Sequence, residues 1–161
     1  MTAPQTINIC ITIDNPDTAI DTIAKALSDK LDVIAGRKLP DGVHRIDGTD
    51  FLYTLTDKVS HHDAPGVVAK LEQVPGHTPW DLAEPREAIL LVDYSRHNPA
   101  VDAAKHPGIK SEWCWLKNTD ASSPADFAWF VFFDTGLFDR NNRYNHNRAL
   151  AVCRPLPASQ Q

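Results

Sequence analysis

Residues 127–154 read FAWFVFFDTGLFDRNNRYNHNRALAVCR. The first seven, Phe127 to Phe133, are too aromatic for a surface helix and fit a buried strand, where aromatic and β-branched side chains pack on a pleated surface. Asp134-Thr135-Gly136 follows, with the glycine marking a tight reversal. Arg140-Asn141-Asn142-Arg143-Tyr144-Asn145-His146-Asn147-Arg148 is almost purely amide, guanidinium and ring. Ala149 to Cys153 returns to apolar character and Arg154-Pro155 closes it. The pattern predicts a strand pair flanking an exposed hydrogen-bonding segment.

A chain of 161 residues suits one domain, or one domain with a small addition. Apolar residues make up 42% and charged residues 23%, the proportions of a soluble globular chain. No run approaches the roughly 20 apolar residues of a membrane span, so no membrane insertion is expected. Met1-Thr2-Ala3-Pro4-Gln5 carries neither the basic nor the apolar part of a secretory leader, so synthesis in the cytoplasm is expected, which a virion protein shares.

The net charge of −5 argues against general nucleic-acid binding. From Phe127 onward there are four Arg, no Lys and two Asp, a surplus of two positive charges that leaves the first 126 residues at −7. A small basic tip on an acidic body suits a local polar or anionic ligand better than a duplex. Cys10, Cys114 and Cys153 lack zinc-type spacing and read as buried free thiols, with a Cys114–Cys153 bridge as the alternative.

At the start of the chain, Ile7, Ile9, Ile11 and Ile13 alternate with polar residues, which predicts a strand with one buried face. Asn15-Pro16 is a helix start, and Ile20, Ile23, Leu27, Leu31 and Ile34 follow at helical spacing until Gly36. That stripe is a core or subunit-contact face. Asp50 to Asp57 reads as a strand, and Val67 to Leu71 as a short strand or helical turn. Pro85 opens a helix to about Arg96 with Ile89, Val92 and Leu90 facing inward; Asn98-Pro99 stops it. Ser111 to Lys117 is a strand with Trp113 and Trp115 on one face.

From Trp80 to Arg154 the order of signals resembles the Lcl carboxyl-terminal domain family. Trp80-Asp81-Leu82 and Pro85-Arg86-Glu87 match a Trp-x-Leu-Pro-Thr-like segment opening a helix, and Leu91-Val92-Asp93 the Leu-x-Asp that ends it. Pro99-Ala100-Val101-Asp102, His106-Pro107 and Trp113-Cys114-Trp115 follow in the family's order. Ala128-Trp129-Phe130-Val131-Phe132-Phe133-Asp134-Thr135-Gly136 matches its hairpin, and Ala151-Val152-Cys153-Arg154 its ending. Trp115-Leu116-Lys117-Asn118 stands where the family carries Trp-Ser-Ser-Thr, and Ala149-Leu150 where it carries Val-Arg.

The resemblance implies an α+β, C-type-lectin-like domain with two helices, a twisted antiparallel sheet and long loops. It would occupy residues 76–161, with residues 1–75 as a strand–helix–strand elaboration able to dock on a partner. Members are mostly binding modules, so the resemblance implies a non-enzymatic phage or prophage tail-tip protein in the virion. Its partners would be a host-surface glycan or protein and other tail or baseplate proteins, and a homo-oligomer, a trimer by analogy, would add avidity. Alternatives are a variable ligand-binding protein of a diversity-generating retroelement and a cytoplasmic catalyst akin to the formylglycine-generating enzymes.

The expected ligand-binding residues are Arg140, Asn141, Asn142, Arg143, Tyr144, Asn145, His146 and Asn147. Amides supply paired donors and acceptors, guanidinium a planar fork, and Tyr a stacking face for sugars. The competing reading is a solvated segment whose Asn residues satisfy turn conformations. His61-His62-Asp63 lacks a third ligand placed by spacing. Asp134, Asp139 and Asn141 are the only candidates for calcium, without the signatures of calcium-dependent sugar binding. No metal or cofactor is expected. No Gly-x-Ser-x-Gly, phosphate loop or dinucleotide fingerprint occurs, so no catalytic residue is assigned. Trp80, Trp113, Trp115, Trp129 and Phe130 are expected to pack the sheet.

Overall fold

A computed structural model describes residues 16–34 and 38–157. The strand expected at the Ile-alternating segment before Asn15 lies outside these residues. The chain divides into two compact units, Met1–Leu39 and Pro40–Gln161.

The described part of the first unit is a 19-residue helix, α1 (Pro16–Ile34), with Lys38 and Leu39 beyond it. Lys25 and Lys38 both reach the Asp29 carboxylate, at 3.2 and 3.3 Å. Ile20, Ile23, Leu27 and Leu31 are exposed, Ile20 at 79%.

The second unit is α+β, mostly sheet with few and short helices. Its elements are β1 (His44–Arg45), β2 (Leu52–Leu55), β3 (Val59–Ser60), α2 (Ala64–Val68), β4 (Asp81–Leu82) and α3 (Pro85–Ala88). A 3-10 turn (Ile89–Leu91) continues α3, and β5 (Trp113–Thr119), β6 (Phe127–Phe132), β7 (Leu137–Asn142) and β8 (His146–Cys153) complete the unit. The main sheet runs β1-β2-β8-β5-β6-β7, with β3 and β4 also pairing with β8. All pairings are antiparallel except β5 with β8.

The closing stretch therefore holds three strands, not a strand pair around an exposed segment. β6 and β7 form the hairpin that Gly136 allows, in register from Phe132↔Leu137 to Phe127↔Asn142. Gly136 has φ +75°, and a Cβ there would lie 2.6 Å from Val92 Cγ1. The third strand, β8, does not pair with either. It lies between β2 and β5, because Ala149 to Cys153 are buried on both faces, as a central strand must be.

One face of the sheet carries the main core, with Tyr53, Cys114, Leu116, Val131, Phe133, Leu150 and Val152 packed against Leu91, Val101 and Ile109. Burying a large apolar side chain of this kind stabilises the fold by about 1.5–3 kcal/mol. On the other face Trp115 is fully buried and donates its indole N–H to the Val59 carbonyl at 3.0 Å. Trp113 is 41% exposed and stacks on Phe130 with centroids 4.4 Å apart.

The helix expected from Pro85 to Arg96 is only α3 and its 3-10 turn. Val92 is extended, and Leu91 enters the core in place of Leu90 and Ile89, which are exposed. Glu87 explains the anchoring of so short a helix. It accepts the Glu84 backbone N–H at 2.8 Å and is clamped by Arg154 Nε and Nη2 at 2.7 and 2.8 Å while 2% exposed. That bidentate pair ties α3 to the residue after β8.

Cys114 and Cys153 are buried free thiols. Burial pushes the Cys114 thiol far above its ordinary range and the Cys153 thiol up to about 12.

Candidate functional site

The polar run of residues 140–147 covers the end of edge strand β7, the turn 143–145 and the start of β8. Its residues separate into those that build the turn and those that the turn displays.

Arg140 forms an ion pair with Asp120, bonds Ser122 Oγ at 3.2 Å, and lies over the Phe127 ring. Asp120 is buried, and its carboxyl is held below the usual range first by Arg140 and then by the Ser122 backbone and hydroxyl. Arg143 is held at both ends. Its backbone N–H donates to Asp126 O at 2.8 Å, and its carbonyl accepts the His61 N–H at 2.9 Å. Its guanidinium donates to Pro124 O at 2.9 Å and to His61 Nδ1 at 3.2 Å.

His61 Nε2 lies 2.9 Å from the Leu116 carbonyl, so it carries the proton and Nδ1 accepts from Arg143. Burial, with Arg143 and His62 nearby, holds this imidazole below the ordinary histidine value and neutral. Its edge meets the Trp115 ring at 5.4 Å. His61 thus braces the turn. Among the described residues, no group of three His, Cys, Asp or Glu side chains is arranged to hold a metal ion.

Asn141 Oδ1 accepts from the Asn142 N–H at 2.8 Å and from Asn145 Nδ2 at 2.7 Å. Asn142 Oδ1 accepts the Tyr144 N–H at 3.0 Å. These amides satisfy the bend itself. Asn147 pairs with Val59 across β3, and its side-chain nitrogen is buried without a partner among the described residues.

Displayed are Tyr144, Asn145 and His146, all exposed, with Tyr144 at 65%. His62 joins them from the segment after β3, its ring 6.1 Å from that of Tyr144 and tilted 33°. The structure brings these four together although 82 residues separate His62 from Tyr144. Proximity to Tyr144 is not readable from the His61-His62 pair in sequence; the β3–β8 register creates it.

The family model of the Lcl C-terminal domain matches residues 43–153. The chain belongs to the Lcl C-terminal domain family. The match opens at β1 and closes at the end of β8, so all eight strands among the described residues lie within or at the edge of this Lcl C-terminal domain. The short strands β1 to β3, which precede the motifs of the Trp80–Arg154 segment, are part of the matched domain, and β2 contributes Tyr53 to its core. No curated protein matches the chain. Among the described residues, no helix is long and apolar enough to cross a membrane.

Proposed function

We propose that this Lcl C-terminal domain is a non-enzymatic recognition module of C-type-lectin-like fold. The turn at 143–145 presents Tyr144, Asn145 and His146, with His62 beside them, to a glycan or protein on a host-cell surface. The observation that carries the reading is the exposed Tyr144 ring on a turn whose neighbouring amides and arginines are already bonded internally. A rigid support with an unspent aromatic face loses little conformational entropy on binding, and Tyr offers both a stacking face and a hydroxyl. The buried, protonated Cys114 and Cys153 thiols support the non-enzymatic reading, since the thiolate is the reactive form.

The same reading places the protein in a virion, as a phage or prophage tail-tip component with tail or baseplate proteins as neighbours. Helix α1 supports self-association. Ile20, Ala24, Leu27, Leu31 and Ile34 alternate spacings of four and three, the repeat of a helical seam. The large residues described on that stripe are exposed, while the Lys25–Asp29 ion pair occupies another face. Copies of the chain joined through α1, as a trimer, would give weak individual contacts avidity.

The test is binding of the purified chain to whole cells of candidate bacterial hosts, compared with Tyr144→Ala and with His62→Ala/His146→Ala. Saturable binding that these variants lose is expected; saturable binding that all of them retain moves the site away from the turn. Sedimentation of wild type beside Leu27→Asp tests the seam, and a wild-type monomer removes that part of the proposal.

A further inference from the structure

A cleft lies on the core face of the sheet, away from the residues assigned to host recognition. The register pairs His44 with Tyr53 and Leu55 with Leu150, so His44, Tyr53, Leu55 and, two residues before Leu150, Arg148 share one face. Gly42, Thr54, Gly108, Lys110 and Glu112 complete the lining of a cavity of about 230 Å³. At Gly108 a Cβ would lie 2.9 Å from His44 Nε2, so the glycine keeps this wall from meeting the imidazole.

We propose that this cleft binds a small carboxylate that carries a hydrogen-bond donor, of amino-acid or sugar-acid size, held by Lys110, Tyr53 and Glu112. Most of the polar lining is committed elsewhere. Arg148 is paired with Glu112 and also donates to the Thr56 carbonyl at 2.8 Å. The Thr54 hydroxyl donates to the Gly42 carbonyl at 2.8 Å. Four groups of the lining are uncommitted among the described residues: the Lys110 ammonium, the second oxygen of Glu112, the Tyr53 hydroxyl and the His44 ring nitrogens.

The Tyr53 hydroxyl points most directly to a ligand. The residue is 0% exposed and its hydroxyl has no hydrogen-bond partner among the described residues. Such a group costs free energy unless something bonds it. Its ring is fixed between His44 and His106, with centroids 5.5 and 5.6 Å away. Burial drives the phenol well above its ordinary value, so it remains a donor at any physiological pH. A cavity of this size holds more than one water, whose share of liquid volume is roughly 30 Å³, yet falls below the roughly 300 Å³ at which drug-sized pockets begin. One monosaccharide or amino acid fits that range.

Charge selects the monoanion. With Arg148 offset by Glu112, the lining has one surplus cation in Lys110. A carboxylate accepts from Lys110 Nζ and from the Tyr53 hydroxyl. A phosphate dianion would bring a second negative charge beside Glu112 with no cation to offset it. The second Glu112 oxygen needs a donor, which a hydroxyl or ammonium group on the ligand supplies. Amino acids and sugar acids share this chemistry.

NMR-detected titration of the full chain with galacturonate, serine, acetate and neutral galactose tests the site. Saturable shifts at residues 44, 53–55 and 108–112 are expected with galacturonate or serine, which identifies the source. Galactose and acetate are expected to bind about tenfold more weakly, each lacking one of the two matched groups. Lys110→Ala and Tyr53→Phe should each weaken binding about tenfold. Among the described residues the Lys110 side chain makes no bond that its loss would break, so a folded variant is assured a reading. No saturable shift with either acid, or binding that both variants retain, overturns the proposal. So does a crystal structure with both acids in excess that shows only ordered water at the Tyr53 hydroxyl. Tyr144→Ala should leave these titrations unchanged, so failure here and failure of host recognition are separable.

Discussion

Strand β8 has conspicuous polarity at its start and an inconspicuous cleft along its flank, and the two differ in how their hydrogen bonds are satisfied. At the 140–147 run, two arginines and two asparagines spend their donors and acceptors on the turn itself. At the cleft, a tyrosine in a core strand keeps a buried hydroxyl that no described residue bonds. Density of polar residues in sequence therefore marks where a chain needs internal bonds to bend. Unspent bonding capacity, at the Tyr53 hydroxyl and at the Asn147 amide nitrogen, is revealed only by the fold.

The largest expected effect tests the internal bonding. Arg143→Ala removes the donors to His61 Nδ1 and Pro124 O and leaves a buried acceptor unpaired. Hydrogen bonds from charged donors contribute about 1.5–3 kcal/mol, so a loss of about 2–4 kcal/mol is expected in urea unfolding at pH 7. A loss under about 0.5 kcal/mol would mean that Arg143 is a solvated side chain, free for a ligand after all.

A smaller effect comes from the proton. The folded-state values of His61 and His106 lie below the ordinary 6.5, chiefly through burial. Around His61 the charged and titratable groups are Arg143 and His62; around His106, Asp47 and Asp102 oppose the shift, and Lys105 and His44 reinforce it. Below pH 6.5 the unfolded chain takes up protons that the folded chain refuses. Stability is therefore full above about pH 6.5 and declines as pH falls toward the folded-state values, then levels. Thermal unfolding between pH 7.5 and 5 should show this decline, and His61→Gln should flatten part of it while His106 retains the rest. A profile unchanged by His61→Gln would separate His61 from the turn it braces.

Much of the fold was legible from periodicity. The α1 stripe, the strand at 50–57, the Gly136 reversal and the burial of Trp80, Trp115 and Phe130 all follow from residue pattern, and the ordered motifs led to the Lcl C-terminal domain family. Strand neighbours were not legible. Phe127–Phe133 and Ala149–Cys153 are close in sequence and equally apolar, which suggests a pair. Yet β5 is inserted between them, because a run buried on both faces needs partners on both edges. The helix at Pro85 is shorter than its pattern suggests for a related reason: Ile89, Leu90, Leu91 and Val92 satisfy a helical or an extended pattern, and packing of Leu91 decides between them. At the candidate site, the eight polar residues were visible, but their division into braces and displayed groups depends on Asp120, Asp126, His61 and Pro124, all distant in sequence.

The cleft predicts a substitution of the opposite sign. Removing a buried hydroxyl that has no partner among the described residues deletes its desolvation cost, so Tyr53→Phe should be neutral or stabilise the apo chain by up to about 1 kcal/mol. Chemical unfolding without ligand measures this. A destabilisation of more than about 1 kcal/mol would show that an ordered water already bonds the hydroxyl, and the contrast between the two regions would narrow to one of ligand identity.

The smallest stability effect belongs to the displayed ring. Tyr144 is 65% exposed, and its anchor is the backbone N–H bonded to Asn142 Oδ1, which alanine keeps. Tyr144→Ala should therefore change stability by less than about 0.5 kcal/mol. If the turn is a recognition surface, the same variant should lose cell binding, because truncating a central aromatic commonly costs about 2 kcal/mol or more of affinity. Stability without binding would mark a residue kept for a partner. Lost stability would instead make Tyr144, through its His62 contact, another brace, and would leave Asn145 and His146 to carry any recognition at this end of β8.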